Sequence, residues 1–65
     1  MTLRQMRLMR GWKVKDLEYY CREHGGVSVK TIERAERGEK IAEVMAYRIA
    51  LALDTTPEQI EGLNY

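Results

Sequence analysis

With 65 residues and a formal net charge of +1, the chain is one domain, near the smallest size that a hydrophobic core alone can hold together, and too short to build a deep catalytic pocket. Its single cysteine excludes an internal disulfide, and with no run of ~18 apolar residues and no leader-like start, the expected compartment is the cytoplasm, away from any membrane. The near-neutral total hides a gradient. Residues 1–15 carry Arg4, Arg7, Arg10, Lys13 and Lys15 with no carboxylate, while residues 41–65 carry only Arg48 against Glu43, Asp54, Glu58 and Glu61. This polarity suits a domain that turns one face toward phosphates.

In chain order, Thr2-Leu3-Arg4-Gln5 has the form of a capping box and predicts a first helix over about 3–10, with Leu3, Met6 and Met9 as its buried stripe and Gly11 beyond its end. Val14, Leu17, Cys21 and His24 recur at helical spacing and predict a second helix over about 14–24, ended by Gly25-Gly26. Ser28 can cap a third helix over about 28–36, and Gly38 can close it. Val27, Ile32 and Ala35 fall on one face of that segment, while Val29, Lys30, Glu33 and Arg34 point outward. A fourth helix over about 42–53 is apolar around most of its circumference, which makes it a central core element or partly an interface. Thr56-Pro57-Glu58-Gln59 again combines a cap, a proline suited to the first helical position and a glutamine in the capping-box place, predicting a short fifth helix over about 57–62 that holds Ile60 and Leu63. No segment alternates with period two. The expectation is an all-α, five-helix domain spanning residues 1–65.

The third segment carries the chemistry. The planar guanidinium of Arg34 can donate two hydrogen bonds to guanine O6 and N7, Lys30 can donate to guanine or to phosphate, Val29 can touch a thymine methyl, and Glu33 can accept from cytosine N4.

From Leu3 to Leu63 the chain resembles the lambda-repressor-like, or Xre-type, helix-turn-helix family. The resemblance lies in Leu3 to Gly11 with Arg7, Arg10 and Gly11; in Trp12 to Leu17; in Val27-Ser28, Thr31-Ile32 and Glu36-Arg37-Gly38; in Arg48-Ile49-Ala50 with Ala52-Leu53; and in Pro57 to Ile60. It implies a five-helix DNA-binding domain whose second and third helices form the helix-turn-helix, and a repressor-like regulator that occupies a double-stranded operator as a homodimer. By position, Val29, Lys30 and Arg34 match the family's base-reading sites, with Ser28 as the cap beside the backbone. Lys13, Lys15, Arg37 and Lys40, with Arg10, match its phosphate contacts, and Arg7 and Glu36 match a salt bridge that holds the reading helix against the first helix. With no second domain in the chain, dimerisation falls to the helical domain itself, through Ile60, Leu63 and Tyr65 beside the fourth helix.

Three departures stand out. Val14 occupies a place where the family commonly has a phosphate-donating Gln, and Glu18 a place where it favours Ala. About four extra residues between Leu17 and Gly26 correspond to one added helical turn, which preserves the facing of the two ends. Val14, Glu18, Glu33 and the low net charge keep open a second reading, a protein-interaction module that retains the fold without reading DNA.

Other combinations carry less. Cys21 and His24 share a helix face, yet two ligands do not make a structural zinc site and no third group orients a Cys–His nucleophile. Gly25-Gly26 lacks the strand and the Lys-Ser/Thr of a phosphate-cradling loop. Neither an acid–base set nor a cofactor motif is present, so the chain is not expected to be an enzyme or to need a cofactor, metal or small-molecule ligand.

Overall fold

The first helix begins where a side chain satisfies its first backbone donors. Thr2 Oγ1 accepts from the Gln5 N–H at 3.2 Å while Gln5 Oε1 accepts from the Thr2 N–H at 2.9 Å, a complete capping box that starts α1 (Leu3–Met9). In this computed structural model, which describes all 65 residues, α2 (Val14–Cys21), α3 (Val29–Glu36) and α4 (Glu43–Ala52) follow, with 3₁₀ turns over Arg22–His24 and Pro57–Gln59. The chain is all-helical, with four α-helices. None is long and apolar enough to cross a membrane.

The core is built chiefly where α2, α3 and α4 meet. Leu17 and Cys21 from α2, Ile32 from α3 and Ile49 from α4 are fully buried, and Val27 enters from the turn before α3. Ala46 and Ala50 leave α4 flat enough for α2 to pack closely on it. Ile41, Leu53 and Ile60, all outside the α-helices, close the ends of this core. From α1 only Leu3 and Arg7 are buried, while Met6 is half-buried and Met9 is 73% exposed. A stripe at every third residue walks about 60° around a helix per step, whereas the fourth residue returns to within about 40°. The buried face therefore runs from Leu3 to Arg7, and Met9 falls off it.

Two other elements differ from the sequence expectation. The second helix does continue to His24, but its last turn tightens to 3₁₀, so the added residues extend the helix without a full α-helical turn. The expected fifth helix is only the 3₁₀ turn Pro57–Gln59. Pro57 is buried at its first position, but the Thr56 side chain makes no cap; the Thr55 hydroxyl donates instead to Gln59 Oε1 at 2.7 Å. Ile60 then turns extended (φ −93°, ψ 109°) to reach the core, which ends the helix. The segment that follows straps the fold together. Ile41 N–H donates to the Asn64 carbonyl at 2.9 Å, and Glu61 N–H donates to the Met1 carbonyl at 2.9 Å.

All four α-helical segments end alike. At the end of α4, Asp54 N–H reaches the Leu51 carbonyl at 3.1 Å and Thr55 N–H the Ala50 carbonyl at 3.0 Å, the paired bonds of a Schellman motif. The same pair of bonds recurs at Gly11 and Trp12, at Gly25 and Gly26, and at Gly38 and Glu39. Only at α4 is the left-handed position filled by a side-chain-bearing residue, Asp54 at φ 55°. That aspartate also puts a negative charge against the negative end of the helix dipole. Asp54→Gly should therefore raise stability by about 0.5–1 kcal/mol, read as a higher midpoint in urea unfolding.

Gly25 is constrained twice. Its φ is 109°, and a Cβ there would lie 2.7 Å from the Arg48 guanidinium, which donates to the carbonyls of Gly25 at 3.3 Å and Gly26 at 3.1 Å. Gly25→Ala should cost about 1–3 kcal/mol, visible as a lowered melting temperature. Gly26→Ala, with open space around the added carbon, should carry only the backbone part of that loss.

Candidate nucleic-acid interface

The orientation of α3 follows from three fixings. Ser28 Oγ accepts from the Thr31 N–H at 3.1 Å and caps the first turn. Ile32 and Ala35 are buried, which turns Lys30, Glu33, Arg34 and Arg37 to solvent and leaves Val29 half-buried. At the last turn Glu36 meets Arg7 in a two-pronged ion pair, Nε to Oε2 at 2.6 Å and Nη2 to Oε1 at 3.0 Å. Arg7 Nη1 also donates to the Trp12 carbonyl at 2.8 Å. One buried guanidinium thus ties α1, the turn before α2 and the end of α3, and the neighbouring carboxylate holds its pKa above the ordinary arginine value.

An open cleft runs along this side, lined by Arg4, Arg7, Val14, Glu33, Glu36 and Arg37. It joins the start of α1, the first residue of α2 and the outer face of α3. Arg4 counted in the sequence only as part of the basic N-terminal run; its place in the cleft follows from its position one helical turn before Arg7. Lys13 and Lys15 flank Val14 and are exposed, with Asp16 accepting from the Lys13 N–H at 2.7 Å. Lys30 is likewise exposed. The apolar Val14, half-buried in the cleft, offers no donor there.

Not every expected cation joins this face freely. Arg10 Nη2 donates to the Leu53 carbonyl at 3.0 Å, and its guanidinium lies 5.4 Å from the Trp12 ring centre. It caps the C-terminal end of α4 from an exposed position. Arg34 lies along the turn after α3, with Nη2 to the Lys40 carbonyl at 3.2 Å and Nε 3.4 Å from Glu39. Arg37 Nε donates to the other Glu39 oxygen at 2.6 Å. Sequence spacing gave no sign of Glu39, because a loop residue carries no periodicity.

No family model, curated protein or solved structure matches the chain.

The remaining surface divides into two further patches. On α4, Val44, Tyr47 and Leu51 are exposed at helical spacing and form an apolar stripe. Ile60, by contrast, is 3% exposed and cannot touch a second copy, while Leu63 and Tyr65 are half-buried against the core. Of the residues expected at a dimer surface, Ile60, Leu63 and Tyr65 beside the fourth helix, Ile60 instead closes the core. On α2, Tyr20 stacks on Trp12 with ring centres 4.4 Å apart, Tyr19 meets Tyr20 edge-on at 5.2 Å, and Arg22 lies 5.6 Å from the Tyr19 ring. Arg22 also pairs with Glu18 at 3.0 Å, one turn earlier, so the carboxylate at the second family departure is neutralised from within its own helix.

Cys21 and His24 differ in exposure. The thiol is fully buried, its pKa pushed up to about 11 by burial and then by the nearby Glu18 charge. The half-buried His24 lies 3.3 Å from Glu23.

Proposed function

We propose that the chain is a sequence-specific double-stranded DNA-binding regulator of the lambda-repressor-like, Xre-type class, repressor-like in action, with α2 and α3 as its helix-turn-helix. The observation that carries this reading is the solvent-facing side of a capped, ion-paired α3, which carries Lys30, Glu33 and Arg34 beside a cleft that adds Arg4 and Arg37. In the proposed complex α3 lies in the major groove, where Arg34 and Lys30 donate to base edges, Val29 meets a methyl group and Glu33 accepts from a cytosine. Lys13, Lys15, Arg37, Lys40 and Arg4 contact phosphates from the two sides, with Ser28 at the backbone.

The protein spans 23 × 21 × 20 Å, less than the roughly 34 Å between half-sites one helical turn apart. A palindromic operator accordingly takes a homodimer. The α4 stripe of Val44, Tyr47 and Leu51, with Tyr65 near Tyr47, supports that assembly better than Ile60 does.

A second reading, a protein-interaction module, is favoured by the exposed Tyr19 and Tyr20 beside Arg22, since tyrosine and arginine are enriched in binding hot spots. Selection of bound duplexes from a random DNA pool at roughly physiological salt separates the two, because nonspecific binding is weak there. An enriched palindrome supports the regulator. A folded protein that enriches nothing supports the interaction module.

A further inference from the structure

Ion pairs of two kinds hold arginines of this face, one between Arg7 and Glu36 and a couple that share Glu39, and they differ in burial. Arg7 and Glu36 have side chains 9% and 13% exposed, whereas Arg34, Arg37 and Glu39 are 46–59% exposed. The first pair is a fastening. The second lies open to water, where ion pairs are weak and exchange easily.

The backbone explains why Glu39 reaches both arginines. Gly38 takes a left-handed conformation (φ 79°), and the Glu39 N–H returns to the Arg34 carbonyl at 3.0 Å. This folds Glu39 back over the last turn of α3. One carboxylate oxygen then meets Arg37 Nε at 2.6 Å and the other lies 3.4 Å from Arg34 Nε. Two oxygens on a tetrahedral phosphate could make the same pair of contacts. Arg34 is also held by the Lys40 carbonyl at 3.2 Å, so its guanidinium lies along the turn and must swing outward before it can reach a base.

We propose that Glu39 is an internal phosphate mimic that occupies Arg34 and Arg37 in the free protein and is displaced by DNA, so that it lowers nonspecific affinity more than affinity for the correct site. The proposal rests on the DNA-binding reading of α3. On arbitrary DNA the two arginines exchange one anion for another and gain little, while Glu39, once displaced, stays close to the phosphates and repels them. On the correct site Arg34 gains a two-pronged contact with a guanine, which offsets the exchange. Glu39 thereby widens the gap between right and wrong sequences. Glu33, which lines the cleft and lies near Arg37 without a hydrogen bond or close ion pair to it, is a carboxylate on the same face and provides the control.

The test compares wild type, Glu39→Gln, Glu33→Gln and Glu39→Gln/Arg37→Ala by fluorescence anisotropy, on a random duplex and on the duplex enriched from the pool, across a salt series. Glu39→Gln should tighten binding to the random duplex about fivefold to tenfold at low salt, tighten the selected duplex about twofold, and steepen the log–log salt slope by about one as Arg37 becomes free to neutralise a phosphate. On the random duplex, where Glu33 has no matched cytosine to read, Glu33→Gln should tighten binding without changing the slope, and Arg37→Ala should remove the gain of Glu39→Gln. Wild-type binding with an unchanged Glu39→Gln affinity and slope overturns the mimic and leaves the DNA reading standing. If neither wild type nor Glu39→Gln binds any duplex, the DNA reading fails and the mimic fails with it. Binding by Glu39→Gln alone supports both.

Discussion

Replacing Glu36 by alanine should destabilise the protein by about 2–4 kcal/mol, because it leaves the Arg7 guanidinium buried without its counter-charge. Arg7 is 7% exposed, and two of its three hydrogen bonds end on Glu36. At ~0.05–0.15 kcal/mol per residue, a chain of this size has only about 3–10 kcal/mol in total, so Glu36→Ala removes a large share. Urea unfolding should show a much lower midpoint with little change in slope. Arg7→Met with Glu36→Met should recover most of the loss, since two apolar side chains of similar volume need no charge partner. Recovery stays incomplete because the Trp12 carbonyl loses the donor it has at 2.8 Å. An unmoved midpoint in Glu36→Ala would show that the pair contributes nothing to stability.

The second large effect concerns binding. Lys30→Glu with Arg34→Glu should weaken affinity for the enriched duplex by about a hundredfold or more, from the loss of base-edge donors and the added repulsion of phosphate. Both side chains are exposed on α3, so folding should be retained, at a modest cost in stability because Arg34 gives up Glu39 and the Lys40 carbonyl. The same reversal made on α2, Lys15→Glu, should weaken the random and the enriched duplex alike and lower the salt slope by about one. Unchanged affinity in the α3 double variant, with the fold intact, would transfer weight to the aromatic patch of Tyr19 and Tyr20.

Much of the architecture was legible because local chemistry wrote it. The caps at Thr2 and Ser28 each need one side-chain oxygen at a fixed spacing, and the buried faces of α2 and α3 repeat with the helical period. The tail was less legible. Cap, proline and glutamine are the same for a 3₁₀ turn as for an α-helix, and only the need to bury Ile60 stops the turn after Gln59. Hydropathy also misassigned Met9, because the residue that completes the inner face of α1 is the charged Arg7. On the candidate site, spacing identified the outward residues of α3 but not their partners. That Arg34 bends toward Glu39 and Lys40, that Arg10 turns to Leu53, and that Arg4 joins the cleft depend on how the helices pack.

The repeated helix ends have a thermodynamic consequence. Each closes its own last carbonyls within six residues, at Gly11, Gly25, Gly38 and Asp54, so no helix waits for a ligand to complete it. Recognition by such a body is docking of a preformed surface, without the ordering entropy that a segment folding on its target must overcome. Calorimetry of any complex should then show a heat-capacity change that matches the contact area alone, with no excess from coupled folding. A shift of target within this scaffold would come from exchanging side chains on α3, since its short connections leave little loop to remodel.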